Sequence, residues 1–549
     1  MQPLPREVKP AHLILNPSRE ELRKLASHHE RTTIYGSASY VTKVRNRSAK
    51  LTYIVPREVE LGVKQAPIDP DRALAIAQEV QRYLAGREVV ALDRTMGQHP
   101  DCRFSCRLYI TREYARIAYM WHDTLFPPLA SPEALSSPSF QPDMVSIYVP
   151  EWPERIIFLD PEAAVTYILG TDYFGECKKS FLRMAMYLAK KKGWLGFHAG
   201  SKVLRVKLNG ELREVGFIMF GLSGTGKTTL TVHDHGLEPP EGVIIRQDDV
   251  VIMNERGYCY GTEAGFFFKT EGLEPSQRVL YQGATLPTAI LENVMVYEDG
   301  TVDFQNYELT SNGRGVVARS DVANTDGEID LLRADKILFI TRRKDVVPPV
   351  AKLSPEQAAA FFMLGESIET SAGDPTKAGQ SKREVGTNPF IVGPEAYEGN
   401  RLLEILRANP DIECFLFNTG SVGAGGSAAP EGEKITIKMS TSLMKLIASG
   451  KLRWRKDLDW GYLVPDVGEM DGGTAASAGA ELDGLDPRLF DPSSYYTPEE
   501  YRRRVESLRE ERRNWLAQFP GLDPDILGAI EAPKAEGQAS ADHACAAAG

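Results

Sequence analysis

The sequence predicts an α/β fold in more than one domain, and three observations carry the prediction. The apolar run Phe217-Ile218-Met219-Phe220 leads into a glycine-rich stretch, Gly221-Leu222-Ser223-Gly224-Thr225-Gly226-Lys227-Thr228-Thr229, whose last residues can open a helix. Short runs rich in β-branched and aromatic residues alternate with amphipathic segments on both sides of that stretch. A chain of 549 residues also exceeds one ordinary core. The expected division is an N-terminal α/β domain over 1–205, a domain carrying the glycine-rich loop over 206–460, and a C-terminal extension over 461–549.

Taken in order, Ser18-Arg19-Glu20-Glu21 can cap a helix running through Leu22, Leu25 and Ala26. Residues 32–55 read as strands, and 69–84 as a helix opened by Asp-Pro-Asp. Strands are expected at 88–92, 145–149 and 155–159, with a Pro- and Ser-rich loop over 126–142. Residues 176–192 form an amphipathic helix, with Lys190-Lys191-Lys192 at its C-terminus and Gly193 as its stop. After the glycine loop, strands are expected at 242–245, 250–253, 265–269, 290–297, 337–341 and 414–418, and helices at 358–364 and 402–406. Residues 371–388 read as a mobile loop, 420–432 as a flexible stretch and 466–496 as irregular. Residues 499–519 form a charged surface helix, and 532–549 a disordered tail. There is no internal repeat.

Composition narrows the class. Apolar residues make up 42% and charged residues 25% of the chain, the balance of a soluble globular protein. A net charge of −11 argues against a nucleic-acid partner, because phosphate backbones select basic faces. No apolar run has membrane-spanning length, and Met1-Gln2-Pro3-Leu4-Pro5-Arg6 lacks the apolar core of a signal peptide. The six cysteines are scattered; Cys102 and Cys106 lie four apart with no second pair to complete a zinc site. A cytoplasmic monomer acting on small molecules is expected.

The glycine-rich stretch fits the pattern Gly, any four residues, Gly-Lys-Thr, which cradles phosphates on backbone N–H groups. Lys227 can then reach the β/γ-phosphates and the Thr228 hydroxyl can bind the nucleotide's magnesium. Phosphoryl transfer needs acids for divalent metal, and Asp248-Asp249 follow the apolar run 242–245. His198, in Trp194-Leu195-Gly196-Phe197-His198-Ala199-Gly200, reads alone as a core histidine. Lys178-Lys179 read as a solvated face, although cations at a helix N-terminus are slightly unfavourable. Arg314 reads as a surface-loop arginine.

Read together, these segments resemble the ATP-dependent phosphoenolpyruvate carboxykinases. Phe220 to Leu230 is similar to that family's phosphate loop nearly residue for residue. Tyr173-Phe174-Gly175-Glu176-Cys177-Lys178-Lys179 resembles its Tyr-Gly-Gly-Glu-x-Lys-Lys, and Phe197-His198-Ala199 its Met-His-Cys. Leu291-Glu292-Asn293-Val294, Asp303-Phe304, Thr310 to Arg314, Pro348-Pro349-Val350 and Asn418-Thr419-Gly420 follow in the family's order. Lys434-Ile435-Thr436-Ile437-Lys438 resembles its adenine-side segment, and Arg47-Ser48-Ala49-Lys50 a worn form of its substrate-arginine motif.

The resemblance implies an active site in the cleft between an N-terminal domain and a mononucleotide-binding domain. It implies manganese on Lys179, His198 and Asp249, with lysine ligating as the neutral amine, and magnesium at Thr228 near Asp248. Lys178, Lys179, Lys227 and Arg314 would be catalytic. Arg47, Tyr173, Lys179 and Arg314 would hold the substrate. Glu292, Lys434, Ile435 and Ser440 would contact the nucleotide. The implied reaction converts oxaloacetate and ATP to phosphoenolpyruvate, ADP and CO₂. The chain departs from the family where Val250-Val251-Ile252-Met253 replace a Glu-His and a later Trp, where the Arg47 motif has lost a Pro, an Asp and a Lys, and where Lys434 replaces an Arg. Two other readings stand beside the carboxykinase: an ATP-dependent kinase acting on another small acid, and a nucleotide-binding regulator without turnover.

Overall fold

The alternation of apolar residues along the N-terminal strands closes a sheet buried on both faces. The computed structural model describes residues 2–45, 48–222, 224–275, 277–368, 380–426, 431–466 and 486–533. Among these, the first large sheet has the strand order His12–Leu15, Glu88–Met96 (β1), Phe104–Thr111, Met144–Val149, Val165–Leu169, Ile156–Asp160, Thr52–Ile54. Val89 and Ala91 of β1 face one apolar cluster, Val90 and Leu92 the other, as the period of two requires. The first cluster is covered by the helix Pro70–Leu84, which Asp69 caps and which buries Ala73, Ala77, Val80 and Leu84. The second is covered by Ala115–Thr124 (α1) and Phe174–Lys191 (α2).

The second large sheet holds the phosphate loop. Leu195–Leu208 (β2) pairs antiparallel with Glu211–Gly221 (β3) from Ala199↔Phe220 to Leu208↔Glu211. The turn between them is Asn209-Gly210, both at positive φ, a two-residue hairpin connection. The expected domain boundary at 205 therefore falls inside one strand: Arg205 pairs Glu214. β3 leads through the loop into the short helix Lys227–Val232 (α3). Beside β3, Lys336–Thr341 (β4) and then Glu413–Asn418 (β5) run parallel to it. Their carboxyl ends, Gly221, Thr341 and Asn418, lie on one edge, where open α/β sheets form their ligand crevices. A third sheet, Gly265–Lys269, Arg314–Ala318, Ile290–Glu292, Ala38–Tyr40, Arg31–Thr32, joins the chain's beginning to its middle.

Several expectations are corrected. The helix Pro498–Leu516 (α4), capped by Thr497 and Glu500, exposes Arg502, Arg503, Glu506 and Glu510 as a surface helix does, but its other face is core: Tyr501, Val505, Leu508 and Leu516 enter the apolar cluster of the second sheet. Its Arg512 is buried because Glu366 accepts from Nε and Nη2 at 3.1 and 2.8 Å, and Trp460 lies 4.5 Å below the guanidinium. Of 371–388, read as a mobile loop, residues 380–388 include the strand Ser381–Arg383 and the turn Val385–Thr387. Within 420–432, Ser421–Val422 pairs with Glu433–Lys434. The described part of 466–496 includes the turns Pro487–Phe490 and Pro492–Tyr495, with Leu489 and Tyr495 buried. Residues 371–379, 427–430, 467–485 and 534–549, which fall within the expected mobile loop, flexible stretch, irregular region and tail, lie outside the described residues. Among the described residues, no helix is long and apolar enough to cross a membrane.

Candidate active site

The phosphate loop is held open by glycine and braced by the strand ends. Gly224 and Gly226 have φ of +86° and +96°, which a side chain would strain. A Cβ on Gly221 would come within 2.5 Å of Thr225 Oγ1. That hydroxyl donates to Leu222 O at 2.8 Å. Thr419, just past β5, donates to Thr225 O at 2.6 Å, and Arg342, just past β4, donates to Gly224 O at 2.7 Å. Lys227 is buried at the start of α3, while Thr228 and Thr229 are half-buried behind it. Ser223 lies outside the described residues.

Asp249 is the hub. Its Oδ1 lies 2.9 Å from His198 Nε2 and 3.8 Å from Lys227 Nζ. Its Oδ2 accepts from Lys178 Nζ, which also lies 2.9 Å from Glu263 Oε2. His198 reaches this point because it sits on β2 beside Val250. The carbonyl of Thr387 lies 2.7 Å from its Nδ1 and can only accept, so Nδ1 carries the proton. Burial, then Lys227, lowers the His198 pKa. The neutral ring then presents its Nε2 lone pair to a carboxylate oxygen, two acceptors 2.9 Å apart. Such a pair is completed by a cation, and a ring nitrogen fixed by a carbonyl is the usual posture of a metal-ligating histidine. This donor set fits a divalent metal. Burial opposes charge on Asp249, but the cations Lys178 and Lys227 beside it hold the carboxyl well below its ordinary range. Burial pushes Asp248 up to about 6.

The two lysines are placed differently from expectation. Lys178 is the deeply buried one, and Asp249, Glu263 and Asp248 overcome the burial and keep it an ammonium. Lys179 is less buried, its Nζ 3.5 Å from Glu176 Oε1 and 5.6 Å from the Tyr173 ring centre.

Tyr173 and Arg314 meet. Arg314 Nε donates to the Tyr173 hydroxyl at 3.1 Å, and Nη2 donates to Asn312 Oδ1 at 2.9 Å. The tyrosine ring folds back over the first turn of α2, where a Cβ on Gly175 would lie 2.4 Å from it. Tyr173 is fully buried, and its hydroxyl accepts from Arg314 and keeps its own proton to donate. Arg47 lies outside the described residues, but both approaches to it are anchored. Asp172 accepts from the backbone N–H of Lys43 and Val44 at 2.9 and 2.8 Å, and Glu176 from that of Ser48 at 2.8 Å. Asn312 also donates to Arg45 O at 3.3 Å.

On the nucleotide side, Ile435 N–H donates to Gly420 O at 2.9 Å, so the 434–440 segment hangs from the turn that braces the phosphate loop. Lys434 is exposed, whereas Ile435 and Ser440 are buried. Glu292 departs from its expected role. It has no exposed surface; its Oε1 accepts from Phe174 N–H at 2.9 Å and lies 3.3 Å from Arg116 Nη1. Burial pushes its pKa up to about 7. It therefore fixes the start of α2 from below, while its Oε2 is buried without a partner among the described residues.

Asp172, Glu176, Glu263, Asn312 and Thr387 were not singled out as site residues by sequence reasoning. Asn312 acts on nearby Arg314, and the other four each act on a partner far along the chain. Only Thr387, at φ +52° beside Gly386, carries a local mark, a strained backbone of the kind functional sites retain.

A model of the phosphoenolpyruvate carboxykinase family matches residues 11–471. Among curated proteins, the chain is 35% identical over 444 residues to the phosphoenolpyruvate carboxykinase (ATP) of Aeropyrum pernix, covering 80% of this chain and 83% of that one. It is 28% identical to the protein of the same name from Cereibacter sphaeroides, covering 84% of each. It is 27% identical to that of Rhizobium etli, covering 84% of this chain and 82% of that one.

Proposed function

The chain belongs to the family of ATP-dependent phosphoenolpyruvate carboxykinases, and from that premise we propose how its residues turn oxaloacetate and ATP into phosphoenolpyruvate, ADP and CO₂. The observation that carries the reading is the meeting of the phosphate-loop lysine and a metal-type donor set on Asp249.

The carbon–carbon bond to the departing carboxylate breaks as CO₂, and its electron pair passes to the carbonyl oxygen of the resulting enolate. That oxygen attacks the γ-phosphorus and ADP leaves. No side chain need act as a strong base, because no proton is removed. Lys227 holds the β/γ-phosphates, and Arg314, aimed by Tyr173 and Asn312, neutralises charge between the γ-phosphate and the substrate. Lys178 remains cationic and fixes Asp249. Arg47, on the segment anchored by Asp172 and Glu176, binds a substrate carboxylate. His198, Asp249 and Lys179 would hold Mn²⁺, and Thr228 with Asp248 would hold Mg²⁺. When bound, these ions supply Lewis-acid charge to the phosphates and to the developing oxyanion.

The test is product analysis of purified protein with ATP, Mn²⁺ and Mg²⁺ against a panel of oxo- and hydroxy-acids. Phosphoenolpyruvate from oxaloacetate alone is expected, and its loss in Lys227→Ala. Phosphorylation of a different acid would favour the kinase reading; nucleotide binding without any product would favour the regulator.

A further inference from the structure

The helix Arg19–Ala26 packs beside α1, and the pair is fastened at both ends. Leu22 and Ala26 of the one enter the same apolar cluster as Tyr114, Ala115 and Ala118 at the start of the other. At one end Arg19 donates to Asp123 from Nε and Nη2 at 2.9 and 2.8 Å. At the other end the Arg19–Ala26 helix tightens into the turn Ser27–His29, which meets the turn Arg112–Tyr114 that opens α1. The shared core therefore sets the distance between these two turns.

The second fastening is made of different groups. His28 Nε2 lies 3.2 Å, and His29 Nε2 3.5 Å, from the same carboxylate oxygen, Oε1 of Glu113. His28 Nε2 also lies 3.1 Å from the Glu113 carbonyl oxygen, and the centres of the two imidazole rings are 4.1 Å apart. One ligand atom from each of the three side chains falls within 4.8 Å of the others. A tetrahedral ion with nitrogen and oxygen ligands at about 2.0–2.1 Å holds those ligands roughly 3.3 Å from one another. Both nitrogen-to-carboxylate separations match that spacing. Hydrogen bonds alone would leave the His28 N–H split between two acceptors of one residue.

The His28, His29 and Glu113 side chains are 40, 34 and 59% exposed, which gives an ion a way in and room for water as a further ligand. Burial, then His28 and Arg116, lower the His29 pKa, so that ring is neutral and open to a metal at neutral pH. The nearby cations are Lys43 and Arg116, and Arg116 is offset by Asp172 and Glu292 at 2.9 and 3.3 Å.

We propose that His28, His29 and Glu113 bind a divalent transition-metal ion of the zinc type, which clasps this end of the helix pair. Two imidazoles and a carboxylate suit zinc, whereas magnesium prefers oxygen ligands. The site is separate from the donor set on Asp249, with which it shares no residue.

The test titrates metal-free full-length protein with ZnCl₂ against a chromophoric chelator, with Mg²⁺ in excess throughout. The wild type should take up one more zinc per chain than Glu113→Gln. His28→Gln and His29→Gln should each weaken that equivalent by about tenfold or more, the least that loss of a metal's supporting group costs. The three substituted side chains reach solvent, so the variants should fold, and circular dichroism checks this. Asp249→Asn, which removes the cleft carboxylate, should keep the equivalent. If Asp249→Asn does not fold, the comparison of wild type with Glu113→Gln decides the matter. The proposal is overturned if Glu113→Gln binds as much zinc as the wild type and as tightly, or if folded Asp249→Asn binds none. Either result would leave the three side chains as a hydrogen-bonded junction between two helices.

Discussion

Arg314 shows how a single side chain is made useful by others. Arg314 opens a strand rather than sitting in a surface loop, and there Nε is spent on the Tyr173 hydroxyl and Nη2 on Asn312, leaving the remaining donor side for a phosphate or carboxylate. Tyr173→Phe removes one acceptor without changing the packed ring. The kcat should fall about tenfold, a transition-state loss of about 1.4 kcal/mol, with the KM for ATP nearly unchanged. Steady-state kinetics in both substrates checks this; an unchanged kcat would mean that Arg314 keeps its aim without the hydroxyl. The phosphate-loop pattern was legible because phosphate binding needs fixed residue types at contiguous spacing, as in Gly221 to Thr229. Tyr173, Lys178 and Arg314 were legible only through their order along the chain. Of their supports, Asn312 stands two residues from Arg314, whereas Asp172 and Glu263 were not legible, because nothing near them in sequence says which distant partner they meet. The buried partner of Glu292, Arg116, is likewise 176 residues away.

At the scale of elements, capped helices were readable and all-round burial was not. Ser18 and Asp69 announce their helices through local hydrogen bonds, which the structure retains. α1 went unread because eight of its ten residues are buried, so it has no polar face to give a period. α4 was misread in the opposite sense: its arginines suggested solvent, whereas Arg512 is sunk against Glu366. That pair sets a pH dependence. Burial opposes the Glu366 charge, but Arg512, Arg343 and Arg383 outweigh it and hold the carboxyl far below its ordinary 4.5. The unfolded chain therefore binds the proton first as pH falls, and the pair's contribution, full above about pH 4.5, is lost progressively below it. Glu366→Gln should cost about 3–5 kcal/mol at neutral pH by leaving buried arginines unpaired. The gap between variant and wild type should close as pH drops below 4.5. Denaturant melts at pH 7 and in acid measure both quantities; a pH-independent gap would mean that the ion pair is not what α4 contributes.

At the scale of the whole molecule, the question is whether the chain comes apart at the boundary its composition suggested. A cut at 205 divides β2 and separates Arg205 from its cross-strand partner Glu214. The Asn209-Gly210 turn marks this hairpin in the sequence itself, and its two glycine-compatible residues are the reason the strands continue past 205. The packing crosses the same line. One apolar cluster takes Leu92, Trp121 and Phe181 from the first part of the chain and Val250, Ile252, Tyr260 and Phe390 from the second. The third sheet does so as well, Ala38–Tyr40 running parallel to Ile290–Glu292. Ala38–Tyr40 pairs with Arg31–Thr32 on one side, but its other side pairs with Ile290–Glu292, so its ladder is incomplete until the later chain is present. Calorimetry of the full-length protein should therefore give one cooperative unfolding transition whose calorimetric and van't Hoff enthalpies agree. Fragments 1–205 and 206–549, made separately, should show no cooperative melt, because each exposes half of a shared core. Two resolved transitions, or a fragment that melts cooperatively alone, would show that the halves are independent.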